Sequence, residues 1–146
     1  GLLFIGNGFD HASAIAVKSD GKGDVTDTHV VWTITKNAPL TPSMLLVGDD
    51  LYMVADNGVV TCVEAKTGTV IWSDRVAKGT SASPLYADGR IYIQDEMGAG
   101  YVLQPGHELK LLATNDLADK SLASYAVHGK HLLIRTQRSL WCVGQK

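Results

Sequence analysis

The side chains with reactive potential in this sequence are two cysteines, five histidines and one acidic loop, and their spacing decides what chemistry is open to them. His11, His29, His107, His128 and His131 form neither a His-x-x-x-His spacing nor a Cys–His cluster, so they do not read as a zinc site. His128 and His131 flank a turn into a strand, where the two rings are expected to diverge. The loop from Asp20 through Asp24 to Asp27, with Gly21 and Gly23 between, sets carboxylates on a flexible turn, the donor type that calcium takes. Lys22 stands where a ligand would be needed and no bidentate Glu follows at the right distance. The loop therefore reads as a solvated turn whose Asp and Thr side chains cap their own backbone. Gly-x-Ser-x-Gly, P-loop and dinucleotide fingerprints are all missing. No catalytic residue, cofactor-binding residue or metal ligand is assigned, and no cofactor is expected.

Composition narrows the remaining classes. The 146 residues are 45% hydrophobic and 19% charged, a globular balance long enough to bury a core. A net charge of −2 with scattered Lys and Arg gives no electrostatic footprint for nucleic acid or a membrane surface. Apolar runs such as Ser43–Val47 are too short to span a bilayer. The first residues, Gly1 to Gly6, show no charged region, cleavage site or initiator Met, so the expectation is a chain that begins inside a longer protein.

The organising feature is an internal period. Trp32 and Trp72, Ser43 and Ser83, Tyr52 and Tyr92, and Gly89 and Gly129 are each 40 residues apart, while Cys62 and Cys142 are 80 apart. Ser43–Tyr52 aligns with Ser83–Tyr92, and a third copy is read from Ala123. A fixed period of this size marks a repeat architecture. Within each unit the local period is two: Leu51–Ala55 and Arg90–Gln94 are short, rich in β-branched and aromatic residues, and bounded by Asp56-Asn57-Gly58 and Asp88-Gly89 turns.

The chain is thus expected to be all-β, built as a β-propeller of four-stranded antiparallel blades, each with strands A to D from the axis outward. Residues 1–38 form a blade without strand A, with D over 29–35. Residues 39–79 form a complete blade with strands near 43–47, 51–55, 59–64 and 70–75. Residues 80–119 form a second complete blade, with strands near 83–87, 90–95, 100–104 and 108–113. Residues 120–146 form a blade lacking strand D. That makes about fourteen strands, three and a half blades and an incomplete ring.

Val59–Glu64 followed by Ala65-Lys66-Thr67-Gly68-Thr69-Val70-Ile71-Trp72 resembles the pyrroloquinoline-quinone-like (PQQ-like) repeat of bacterial proteins, in which a strand ending in Ala leads to Thr-Gly and a Trp follows four residues after the Gly. Thr67-Gly68 makes the C-to-D turn, and Trp72 is placed to bury its ring between neighbouring blades. Unit one keeps Trp32 but expands the turn over Ser19–Thr28; unit three keeps a turn at Pro105-Gly106, with Leu111 and Leu112 read in place of the Trp and a looser docking contact expected. The tail Leu133–Gly144 is similar to the closing repeat of such proteins. WD-type propellers share the period, but their Trp-Asp and Gly-His marks are missing.

The resemblance implies two kinds of relative. One is the quinoprotein dehydrogenases, which hold PQQ and calcium over the axis; their adjacent cysteine pair has no counterpart here. The other is non-enzymatic propellers, the outer-membrane assembly lipoproteins among them, which bind protein partners and point to a periplasmic or secreted location for the full-length protein. The leading expectation is a non-catalytic binding or scaffolding propeller, or a piece of one. The alternative is part of a PQQ-dependent quinoprotein oxidoreductase whose cofactor site lies outside this chain.

Two further expectations come from propeller geometry. Equivalent positions two blades apart exceed the ~7 Å Cα reach of a disulfide, so Cys62 and Cys142 should be free and buried. The B-to-C and D-to-A loops emerge on one face, where Asp10, Asp56, Asn57, Asp95, Glu96, Asn115 and Asp116 form a candidate acidic-polar binding rim. An incomplete ring exposes apolar blade faces and strand edges, so missing blades or a second copy are expected to complete it. Partners are expected to be proteins.

Overall fold

The computed structural model describes residues 1–8 and 11–144. Four antiparallel sheets follow one another along the chain. The first comprises β1 (Leu2–Asn7), β2 (Ser13–Lys18) and β3 (Val30–Ile34), with a one-turn helix α1 (Thr26–His29) in the connection before β3. The second comprises β4 (Leu45–Val47), β5 (Asp50–Val54), β6 (Val59–Glu64) and β7 (Val70–Arg75). The third comprises β8 (Leu85–Ala87), β9 (Arg90–Gln94), β10 (Ala99–Gln104) and β11 (Lys110–Asp116). The last comprises β12 (Ala126–His128), β13 (His131–Arg135) and β14 (Leu140–Gly144). Every pairing is between sequence neighbours, so each sheet is a meander, and the described residues form three and a half blades without a closed ring.

Two apolar clusters join the first three sheets. Ala14, Ala16 and Trp32 of the first pack with Leu51, Met53 and Val63 of the second. Tyr52, Val54, Val60 and Cys62, on the other face of that second sheet, pack with Ile91, Ile93 and Leu103 of the third. The alternation along β5 thus sends successive residues to opposite junctions, as a strand buried on both sides requires. Trp32 and Trp72 each bridge a junction: the Trp32 indole N–H donates to the Ala65 carbonyl at 3.0 Å, and that of Trp72 to the Gly106 carbonyl at 3.0 Å. Each acceptor lies at the C-to-D turn of the next sheet.

The strand registers revise the repeat alignment by one residue in the second half of the chain. In β3 and β7 a bulged residue, Val31 or Ile71, precedes the Trp that pairs with Ala16 or Cys62. In β11 the bulged residue is Leu112, and Ala113 pairs with Val102 at the tryptophan position. Leu111 and Leu112 therefore do not replace the Trp; both are exposed. The cause is a C-to-D turn one residue longer: Leu103 pairs with Leu111, whereas Val63 pairs with Val70. The offset persists through the next D-to-A connection, where Ser83 N–H donates to Ser124 Oγ as Ser43 N–H donates to Ser83 Oγ. Ser124, not Ala123, is thus the counterpart of Ser83. Similarly Gly129 shares its positive φ with Gly48 and Asp88 at the first turn position, so it is not the counterpart of Gly89. A shorter B-to-C turn before Ser139 restores the phase, and Cys142 pairs with Leu133 as Cys62 pairs with Tyr52.

Both cysteines are free, and Cys62 is buried, but Cys142 is exposed. It lies on β14, the edge of a three-stranded sheet that no outer strand covers among the described residues. Burial pushes the Cys62 thiol up to about 11. A thiol-reactive dye at pH 8 is accordingly expected to label one cysteine rapidly in the native chain and the second only on unfolding; peptide mapping should find the fast label on Cys142.

Candidate functional site

The B-to-C turns and D-to-A connections meet on one face and are stitched into a belt. Val76 and Ala77 both donate to the Gly58 carbonyl at 3.0 Å, and Thr80 N–H donates to the Asp56 carbonyl at 2.9 Å. The same pattern continues one sheet on, where Leu117 donates to Gly98, Glu96 donates to Gly79 and Ser121 donates to Glu96. Gln137 N–H then reaches the Lys120 carbonyl at 2.7 Å. Loops that would otherwise carry unpaired backbone groups are held by their neighbours across each junction.

Within this belt three of the anticipated rim residues, Asp56, Asp95 and Glu96, are turned to neighbouring backbone and hydroxyl groups. One Asp56 carboxylate oxygen accepts Leu40 N–H at 2.7 Å and Thr41 N–H at 3.3 Å, fastening the preceding D-to-A connection. Asp95 is only 1% exposed, and its carboxylate accepts Met97 N–H, Ala99 N–H and the Tyr101 hydroxyl at 2.9, 2.9 and 3.0 Å. Glu96 accepts the Ser81 hydroxyl. Asp116 accepts Ala118 N–H, and Asn57 accepts Val59 N–H while remaining exposed. Asn115 is exposed on β11, and Asp10 lies outside the described residues. Of the anticipated rim residues, Asn57, Asn115 and Asp116 are thus the exposed ones, and they do not share one loop.

Because Asp56 holds two backbone donors, Asp56→Ala is expected to lower the unfolding free energy by about 1.5–3 kcal/mol, the range for hydrogen bonds to a charged group. Urea denaturation measures this directly. An unchanged midpoint would show that the carboxylate is free to serve a ligand instead.

The structure adds a feature that residue type alone did not reveal. Met97 and Leu122 are 55% and 67% exposed, and with Lys120, Arg135 and Gln137 they line a groove of about 440 Å³ between the last two sheets. Met97 sits at the turn position held by Asn57 one repeat earlier, and Leu122 at the register position of Ser81. A methionine in an otherwise Asp/Asn/Gly turn was the available signal. Among the described residues no group of His, Cys, Asp and Glu is arranged to hold a metal ion. No helix among them is long and apolar enough to cross a membrane.

These sheets and junctions define a β-propeller of PQQ-like bacterial repeats. A family profile described as "Outer membrane protein assembly factor BamB" matches residues 22–107, and the chain belongs to that family. It is 27% identical over 139 residues to the outer membrane protein assembly factor BamB of Shewanella oneidensis, covering 92% of this chain and 34% of that protein. To the Burkholderia pseudomallei factor it is 32% identical over 84 residues, 56% of this chain and 22% of that one. The chain thus spans about a third or less of these relatives. Among solved structures it resembles BamB from Moraxella catarrhalis, with a TM-score of 0.72 at 18% identity, over 92% of this chain and 40% of that one. A europium-containing methanol dehydrogenase shares the fold more distantly, with a TM-score of 0.56 at 12% identity over 77% of this chain and 22% of that one.

Proposed function

We propose that this chain is a non-catalytic, protein-binding part of an outer membrane protein assembly factor, acting in the periplasm through its B-to-C and D-to-A loop face. Membership of the assembly-factor family carries this reading. The loop face supports it: its backbone is rigidly stitched, while Met97 and Leu122 stand exposed beside Lys120 and Arg135, an apolar centre with a charged surround of the kind protein interfaces use. The carboxylates at Asp56, Asp95 and Glu96 serve as the frame of this face and the exposed groups as its contact points.

Photocrosslinking tests the reading. A photoreactive residue at Met97 or Asn57, with a control at Lys66 on the opposite face, would be introduced into the chain within its full-length protein in bacterial cells. Crosslinks from the first two sites to an outer membrane assembly component, absent from the control, are expected. Equal crosslinking from both faces overturns the loop-face assignment. Addition of PQQ and calcium to the purified protein separates the quinoprotein alternative: a bound-quinone absorbance with dye-linked alcohol oxidation would overturn the non-catalytic role.

A further inference from the structure

The junction between the third and fourth sheets departs from the other two at neighbouring positions. Where β5 places Val54 in an apolar cluster, β9 places Gln94, which is 1% exposed and has no protein partner for either amide atom. Gly100 pairs directly with Gln94, at the position of Val60. Directly paired residues of an antiparallel ladder point to the same side. That side is the one facing the fourth sheet, because Ile91 and Ile93 face the second and Tyr92 packs edge-on against Tyr125 with ring centroids 6.4 Å apart. Tyr125 fills the space a valine would need: a Cβ on Gly100 would lie 2.5 Å from its hydroxyl. The preceding repeats carry Met44 and Pro84 at the Tyr125 position, just after the equivalent serines.

A valine, a valine and a proline have thus become glutamine, glycine and tyrosine around one point. A buried primary amide left unpaired costs on the order of 1–3 kcal/mol, and a phenol at the same point supplies one donor and one acceptor. Burial and the nearby Asp95 carboxylate push the Tyr125 hydroxyl up to about 12, so it stays protonated at any physiological pH. No hydrogen bond joins the Gln94 amide to the Tyr125 hydroxyl, and both amide atoms are left needing a partner. Enclosed sites with several polar partners are where proteins retain internal water.

We propose that the seam between the third and fourth sheets holds an internal water molecule, hydrogen-bonded to the Gln94 amide and the Tyr125 hydroxyl beside Gly100. This hydrated contact stands in for the apolar packing of the other junctions. It works with the Arg138–Asp119 ion pair at 3.1 Å and the Ser83–Ser124 bond to orient the fourth sheet. The site does not depend on the function proposed above.

Water-to-protein NOE spectroscopy on the isotopically labelled chain reads the site directly. Cross-peaks from a long-lived water to the Gln94 side-chain NH₂ protons are expected, and their absence overturns the proposal. Urea midpoints of Gln94→Leu, Tyr125→Phe and the double variant supply a second reading. Each single change is expected to lower the midpoint, and the double variant to lie above the sum of the two losses. Strictly additive losses, or a Gln94→Leu variant more stable than the parent, would show the amide to be dry and overturn the proposal.

Discussion

Trp32→Ala is expected to lower the unfolding free energy by about 3–5 kcal/mol, the range for removing a large buried aromatic ring. The indole is only 8% exposed and stacks on Phe4 with ring centroids 5.9 Å apart. Its N–H satisfies the Ala65 carbonyl at 3.0 Å. Gly68 lies so close beneath the ring that a Cβ there would stand 2.7 Å from the indole Cγ, leaving a truncated side chain no easy way to be replaced by collapse of the turn. Trp32→Phe separates the contributions. It keeps most of the apolar contact but orphans the Ala65 carbonyl, for an expected loss of about 1–3 kcal/mol. Leu112→Ala supplies the contrast, since that exposed bulge residue docks no neighbouring sheet and its loss should stay within about 1 kcal/mol. Comparable midpoint shifts for Trp32→Ala and Leu112→Ala in urea would refute the view that the tryptophan fastens one blade to the next.

The propeller was legible because its evidence is redundant. A 40-residue period with two tryptophans, paired turn signals and period-two strands identifies a meander repeated along the chain, and all fourteen strands form. What the period concealed was phase. One extra residue in the turn around Pro105 and Gly106 moves the tryptophan position to Ala113, and a shorter turn before Ser139 cancels the shift. Two compensating changes leave the Cys62–Cys142 spacing intact, so an alignment by spacing passes over the displaced segment. Cys142 shows the related difficulty: its strand position follows from the repeat, whereas its exposure depends on which strand lies outside it.

The loop face was legible as a place and less so in its detail. Asp and Asn mark turns because their side chains bond nearby backbone, but whether a carboxylate points outward depends on what the adjoining connection presents. Asp56 turns to the amides of Leu40 and Thr41, sixteen and fifteen residues upstream, a contact that exists only once two sheets are packed. Gln94 illustrates the converse. As one polar residue in an apolar strand it is unremarkable in sequence, and its meaning appears only when Gly100 and Tyr125 are brought beside it.

Gly58→Ala should be the most damaging small substitution on the loop face, at a cost of about 2–5 kcal/mol. Gly58 has φ of +85°, which costs a residue with a Cβ about 1–2 kcal/mol. In addition, the new methyl would lie 2.1 Å from the Ala77 carbonyl oxygen and 2.4 Å from its carbon. Relieving that overlap means moving backbone, a further cost of about 1–3 kcal/mol for an overpacked site. The carbonyl of Gly58 accepts both Val76 and Ala77 N–H, so displacing the turn also strips two donors from the connection that carries Thr80 to Asp56. Gly98, with φ of +99° and the Asp119 carbonyl oxygen 2.4 Å from its Cβ position, makes the same close approach one sheet later. Gly23→Ala is the control: φ is +71° there, but nothing lies within 4 Å of the added methyl, so only the conformational penalty applies. Urea denaturation should therefore place Gly58→Ala and Gly98→Ala well below Gly23→Ala. Equal losses at all three glycines would mean that left-handed strain alone, rather than contact between turn and connection, sets the rigidity of this face.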